Sequence, residues 1–338
     1  MKKWLVTAGL AVFIVAFTTL SKSHKKIDPE AVNKAISKTL PLLATTSHNF
    51  LENAGGCHSC HHQALTAVNF SMAKDKGFPV NDSSLDEALQ SIKDRIDRRK
   101  AIMTENDDPT AIVMSGAYDL WALSANHVQP DKYTGLFIRN LMQRQTKQGC
   151  WVSPNLRPPL EYYAFSATAL VVKDMQQYAP SYMHAEMNAR LDKARLWMIN
   201  TNAETNEEKI FQLLGLTWAK ADKKTIEKFA QKLLYAQRDD GGWAQLNGLE
   251  SDAYATGQSL YALNQSGHLK VDDPAYQKGV SFLLSSQFDD GSWKVQSRSF
   301  PVIPFVESKF PHGKNQFISA AGTNWATIAL LLTAKRGS

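Results

Sequence analysis

Two stretches of the chain, LLYAQRDDGGWAQ (residues 233–245) and LLSSQFDDGSWKV (283–295), are copies of one another. Gln237 and Gln287 stand 50 residues apart, and so do Trp243 and Trp293. A third copy, NLMQRQTKQGCWVS (140–153), sets Gln145 and Trp151 92 residues ahead of their counterparts, about two units. Between them, near RLWMINTN (195–202), a degenerate copy has lost its Gly-Trp end. A repeat of this length means stacked supersecondary units, because one unit cannot bury its apolar face alone. Each unit reads as two helices. An apolar-periodic helix runs into the Gln, an Asp/Gly turn breaks it, the Trp follows, and a second helix such as SDAYATGQSLYALNQSG (251–267) returns. Ser251 and Asp252 suit its N-cap and Gly267 its end. The Trp is expected between units, with the Gln bonded to free helix ends. The chain is therefore all-α. Six first helices are expected at 30–52, 84–103, 131–146, 183–200, 223–236 and 274–286. Six second helices are expected at 58–75, 110–126, 160–178, 207–221, 252–266 and 316–335.

The Gln-x-x-x-Gly-x-Trp hairpins resemble the repeats of squalene–hopene cyclases and of their relatives among protein prenyltransferases. SDAYATGQSLYAL (251–263) and FPHGKNQFISAAGTNWATIALLL (310–332) are similar to segments of that superfamily. The resemblance covers most of residues 30–335. It implies an α6/α6 toroid, an inner ring of parallel helices inside an outer ring. Cyclases of that family carry two such domains, so the expectation here is a single toroid over 28–338.

The first 21 residues stand apart. Lys2 and Lys3 precede an uncharged run from Trp4 to Ser21, which reads as an export signal or an uncleaved N-terminal membrane anchor. No Ala-x-Ala cleavage site follows clearly. The rest of the protein is expected in a periplasmic or other extracytoplasmic space, where disulfides are permitted. The formal net charge of +6 is scattered, and the densest basic stretch, DRIDRRK (94–100), is interrupted by Asp. That excludes a nucleic-acid-binding stripe.

In this setting AGGCHSCHHQALTAVNF (54–70) draws the eye, since it holds two of the three cysteines. Cys57-His58-Ser59-Cys60-His61 fits Cys-x-x-Cys-His, the attachment pattern of haem c in an exported protein. If a helix starts here, positions 57, 60 and 61 share one face. Cys57 and Cys60 then take the vinyl groups and His61 the iron. The same residues are zinc ligands in the alternative, and a disulfide or inert buried thiols are a third reading. Met72 lies too far along the helix to be a second axial ligand. His312, in the long proline-rich segment 294–316, is the first choice, because ring closure sets helix six beside helix one. His62 is expected beside the cavity, His58 exposed, and Cys150 as a buried thiol.

Glu105-x-Asp107-Asp108 resembles the Asp-x-Asp-Asp of class II terpene cyclases, whose central Asp protonates an alkene. The first Asp is replaced by Glu and Pro109 follows, so helix capping is the competing role. Tyr118, Trp121, Tyr254 and Tyr261 are candidate lining for an apolar cavity, against a competing role as core. Three functions stay open. One is a haem-bearing toroid that transfers electrons to a redox partner or oxidises a small apolar molecule. The second is a squalene or terpene cyclase-like enzyme with Asp107 as general acid. The third is a non-catalytic ligand-binding module, with or without zinc.

Overall fold

The computed structural model describes residues 27–55, 58–105, 112–153, 157–300 and 305–335. Their order is α1 (Pro29–Asn53), α2 (a π-turn at Cys60–Ala64 running into Leu65–Asp75), α3 (Asp82–Glu105), α4 (Ile112–Ala125), α5 (Lys132–Gln143) and α6 (Ala164–Tyr178). The second half continues with α7 (His184–Asn200), α8 (Asn206–Trp218), α9 (Lys223–Leu234), α10 (Ala253–Gln265), α11 (Pro274–Ser286) and α12 (Gln316–Thr333). Among the described residues there is no strand, only an isolated bridge between Arg157 and Glu161. Nor is any described helix long and apolar enough to cross a membrane. Residues 1–21, read as the signal or anchor, lie outside the described residues.

The even-numbered helices form a closed inner ring, α2–α4–α6–α8–α10–α12, in which α12 packs back on α2. The odd-numbered helices lie outside, and α1 packs against α11, α12 and α3. This is the α/α toroid that the repeat implies. Inner helices are apolar nearly all round: every residue of α12 from Ile318 to Leu331 is buried. Outer helices keep a wet face, and α9 buries only Phe229, Ala230 and Leu233. The difference follows from position, since an inner helix has neighbours on all sides.

The repeat residues act as clamps. The indole N–H of Trp151, Trp243 and Trp293 donates to the carbonyl of Leu141, Leu233 and Leu283, each ten residues earlier in the last turn of an outer helix. Each Trp backbone N–H donates to a threonine of the following inner helix: Thr168, Thr256 or Thr323. The glutamines bond differently from expectation. Gln237 Nε2 donates to Gly241 O of its own turn and to Ala275 O of the next outer helix, both at 2.8 Å. Gln145 does the same with Gly149 and Arg190. Gln287 closes the ring by donating to Ala35 O of α1 at 3.1 Å. The amide thus ties a turn to the neighbouring unit's helix, rather than to a free end. In the degenerate unit an inner-helix glutamine substitutes: Gln212 Nε2 donates to Met198 O and Thr201 O at the end of α7.

Candidate functional site at the mouth of the inner ring

All six inner helices begin at the same end of the ring, and the chemistry-bearing side chains gather there. Ser59 is extended (φ −120°, ψ 134°), and its hydroxyl caps the helix by accepting from His61 N–H. The helix therefore begins at Cys60, two residues later than expected. This corrects the one-face geometry, since a helical face cannot run back through Ser59. Cys57 lies outside the described residues.

Cys60 and His61 are buried. The Cys60 sulfur lies 3.3 Å from His61 Nε2, 3.6 Å from His61 Nδ1 and 3.6 Å from Glu161 Oε1. Glu161, just before α6, also faces Arg157 at 3.4 Å. Burial, with Glu161 and Asp119 nearby, pushes the Cys60 thiol well up. Burial pushes His61 down to about 4, against the pull of Glu161. The π-turn is held from α12, where Asn324 Nδ2 donates to His61 O at 3.0 Å.

The neighbouring histidines go elsewhere. His58, expected exposed, is buried: its Nε2 lies 2.6 Å from Asp119 and its Nδ1 3.0 Å from Ser91 Oγ, with Arg95 3.4 Å from the same Asp119. A carboxylate at position 119 on the inside of α4 needs cationic or donor partners, and His58 is one of them. His62 stacks on Phe50 at 4.7 Å and meets Phe317 edge-on. It packs between α1 and α12 instead of lining a cavity, and burial pushes it down to about 3. His312 does not join Cys60 and His61. Its Nε2 is 2.8 Å from Ser292 Oγ and its ring rests on Phe288. A left-handed backbone (φ 80°) turns His312 toward the α11 turn, so the axial-ligand assignment is withdrawn. Asp107 and Asp108 lie outside the described residues, as does the side chain of Glu105 at the end of α3. Cys150 is buried with Thr146 Oγ1 at 3.2 Å.

The aromatic residues expected to line a cavity instead fill the ring. Trp121 (α4), Tyr261 (α10) and Trp325 (α12) pack with centroids 5.5 to 5.9 Å apart. Phe211 closes on Trp325 from α8, and Tyr118 stacks on Trp121. None of these side chains is more than 6% exposed. Large rings contributed by four inner helices meet on the axis and gain more from each other than from an empty space. They form a floor beneath the mouth.

Above that floor stands a residue that the sequence reading passed over. Glu207 is in the first turn of α8, whose start is fixed by a capping box between Thr205 and Glu208. Its Oε1 accepts from Ser166 Oγ (3.0 Å, α6) and Tyr254 OH (3.2 Å, α10). Oε2 is buried and makes no hydrogen bond of full geometry among the described residues, although the Gln258 amide lies close enough to lower the pKa of the carboxyl. Burial pushes Glu207 up to about 8, against its hydrogen bonds and Arg298. Arg298 Nε donates to Gln245, and Gln245 to Asp252, the N-cap of α10, which burial raises to about 6. The signal was available: Glu207 shares the apolar stripe of Ile210, Phe211 and Leu214.

Residues 194–338 match the family model described as squalene–hopene cyclase C-terminal domain. A squalene–hopene cyclase from Bradyrhizobium diazoefficiens is 31% identical over 115 residues, which covers 31% of this chain and 17% of that protein. The matched part is thus a small share of that relative's length. Among solved structures, the type II terpene cyclase MstE from Scytonema superposes with a TM-score of 0.55 at 12% identity, over 90% of this chain and 98% of that one. The protein has a terpene-cyclase-like toroid fold. A possible member of the GH105 family from Salmonella enterica superposes as well, with a TM-score of 0.55 at 10% identity over 95% of this chain and 98% of that one. Likeness at 10 to 12% identity shows the fold alone, and function has to be argued from the site.

Proposed function

We propose that this terpene-cyclase-like toroid is an enzyme that binds a small apolar ligand at the mouth of the inner ring and gives it a proton from Glu207. The observation that carries the reading is a buried acid raised to about 8, whose Oε2 has only the imperfectly placed Gln258 amide beside it. At pH 7 such a carboxyl holds its proton, and a buried polar atom without a well-placed partner is a place for a ligand's polar atom. Ser166 and Tyr254 donate to Oε1, so they stabilise the carboxylate left after transfer. An acid of this strength suits an oxygen lone pair rather than a bare alkene, because Brønsted behaviour favours donors poised near the working pH. The ligand class is therefore an isoprenoid that bears an oxygen function, short enough to sit above the aromatic floor. The squalene–hopene cyclase match over the C-terminal part supports the apolar substrate class. The lysine-led apolar run at 2–21 supports action outside the cytoplasm, at or near a membrane.

The test uses the terminal epoxide of farnesol as probe, with binding followed by tryptophan fluorescence and product by mass spectrometry. Glu207→Gln should keep binding and lower turnover by roughly 10²- to 10⁴-fold, the usual worth of a general acid. Unchanged turnover in Glu207→Gln would sink the acid assignment. Binding without turnover in the unaltered protein would make it a ligand-binding module instead.

A further inference from the structure

The Cys-His pair has no role in that proton transfer, yet the fold goes to some length to assemble it. Cys60 and His61 come from the π-turn that opens α2, and Glu161 comes from the turn before α6, about 100 residues on. One donor atom from each lies within 4.8 Å of the other two, and all three residues are buried. We propose that Cys60, His61 and Glu161 form a binding site for a single zinc-class metal ion. The assignment does not depend on the Glu207 reading.

Tetrahedral zinc with ~2.3 Å to sulfur and ~2.0 to 2.2 Å to nitrogen and oxygen sets the sulfur-to-nitrogen and sulfur-to-oxygen edges near 3.6 Å. The observed edges are 3.3 Å to His61 Nε2 and 3.6 Å to Glu161 Oε1. The sulfur-to-oxygen edge already fits, and a turn of the His61 ring, whose Nδ1 is also 3.6 Å from the sulfur, would aim Nε2 at the ion. One sulfur, one imidazole and one carboxylate are a borderline-soft donor set that suits zinc and leaves a fourth position open. The outer contacts are of the kind that hold ligands in place. Arg157 engages Glu161 Oε2, which leaves Oε1 toward the sulfur, and Asn324 fixes the backbone of His61.

The same distances fit haem c poorly. A thioether sulfur sits at the edge of the macrocycle while the axial nitrogen sits over its centre. As placed, the sulfur and the imidazole nitrogen, 3.3 Å apart, would have to separate before they could hold both places.

The experiment is a cobalt(II) titration of the full chain after chelation, read by the thiolate-to-cobalt charge-transfer band, with zinc content of the purified protein measured by mass spectrometry. The expected result is about one zinc per chain and a saturable band that zinc displaces. Cys60→Ser should abolish the band. Glu161→Gln, nearly the same shape, should keep the fold by circular dichroism and weaken cobalt binding at least roughly tenfold. The proposal is overturned if the unaltered protein gives no band with excess cobalt, or if Cys60→Ser and Glu161→Gln bind as tightly as the parent. Haem retained on a denaturing gel, and lost when Cys57→Ser and Cys60→Ser are combined, overturns it too.

Discussion

Ring closure can be tested at one glycine. Gly291, in the turn after α11, has φ +88°, and a Cβ built there would meet the Lys38 carbonyl oxygen of α1 at 2.6 Å. Gly267, after α10, has φ +73° and open space within 4 Å. Alanine at either position incurs the left-handed penalty, about 1 to 2 kcal/mol. Only at position 291 must backbone also shift, and overpacking of this kind adds about 1 to 3 kcal/mol. Gly291→Ala should therefore be less stable than Gly267→Ala by about 1 to 3 kcal/mol, and less stable than the parent by about 2 to 5. The shift also loosens the bonds that Gln287 makes to Ala35 and Thr39. Urea unfolding followed by far-ultraviolet circular dichroism gives the three free energies from midpoints at a common slope. Equal losses in the two variants would refute the close approach of the last turn to α1, and with it the seam of the ring.

Three other outcomes follow from the same structure. Gln237→Ala removes both carbonyl contacts between one repeat and the next, and should cost about 1 to 3 kcal/mol by the same assay. Asp119→Ala leaves Arg95 and His58 without their buried partner and should cost about 3 to 5 kcal/mol; a loss under about 1 kcal/mol contradicts the pairing. Glu207 titrates near 8 folded and ~4.3 unfolded, so between these values the folded state holds the extra proton and stability falls as pH rises, by up to ~1.4 kcal/mol per unit. Glu207→Gln should lack that contribution, so its stability relative to the parent should climb from pH 5 to 8 and level off above; a flat difference across this window contradicts the raised acid.

The ring was legible because its determinants are local and repeated. Gln237, Gly241 and Trp243 lie within seven residues of sequence, and each does one job at each copy. Helix boundaries came within about four residues for the same reason, the largest miss being α6, expected from 160 and begun at Ala164. The site was harder to read because its parts meet only through closure. Glu161 approaches Cys60 from a turn 101 residues away, and no spacing signals that. His312 was placed by neighbouring helices alone, while the positive φ that turns it to Ser292 is invisible in the residue types. Trp121 and Tyr261 were expected to line a cavity, and with Trp325 they instead pack against one another. Whether such rings enclose a space or fill it depends on how far each reaches across the axis, which sequence does not encode. Glu207 is the instructive omission, since a lone carboxylate on an apolar helix stripe has to be protonated or partnered, and here it is held by Ser166 and Tyr254.

The most direct measurement of the central claim is an experimental structure of the Glu207→Gln protein with the terminal epoxide of farnesol bound. The epoxide oxygen is expected within hydrogen-bonding distance of the residue 207 side chain, at the mouth of the inner ring. A ligand seated elsewhere, for instance in the outer groove between Ile199 and Tyr235, with residue 207 untouched, would contradict it.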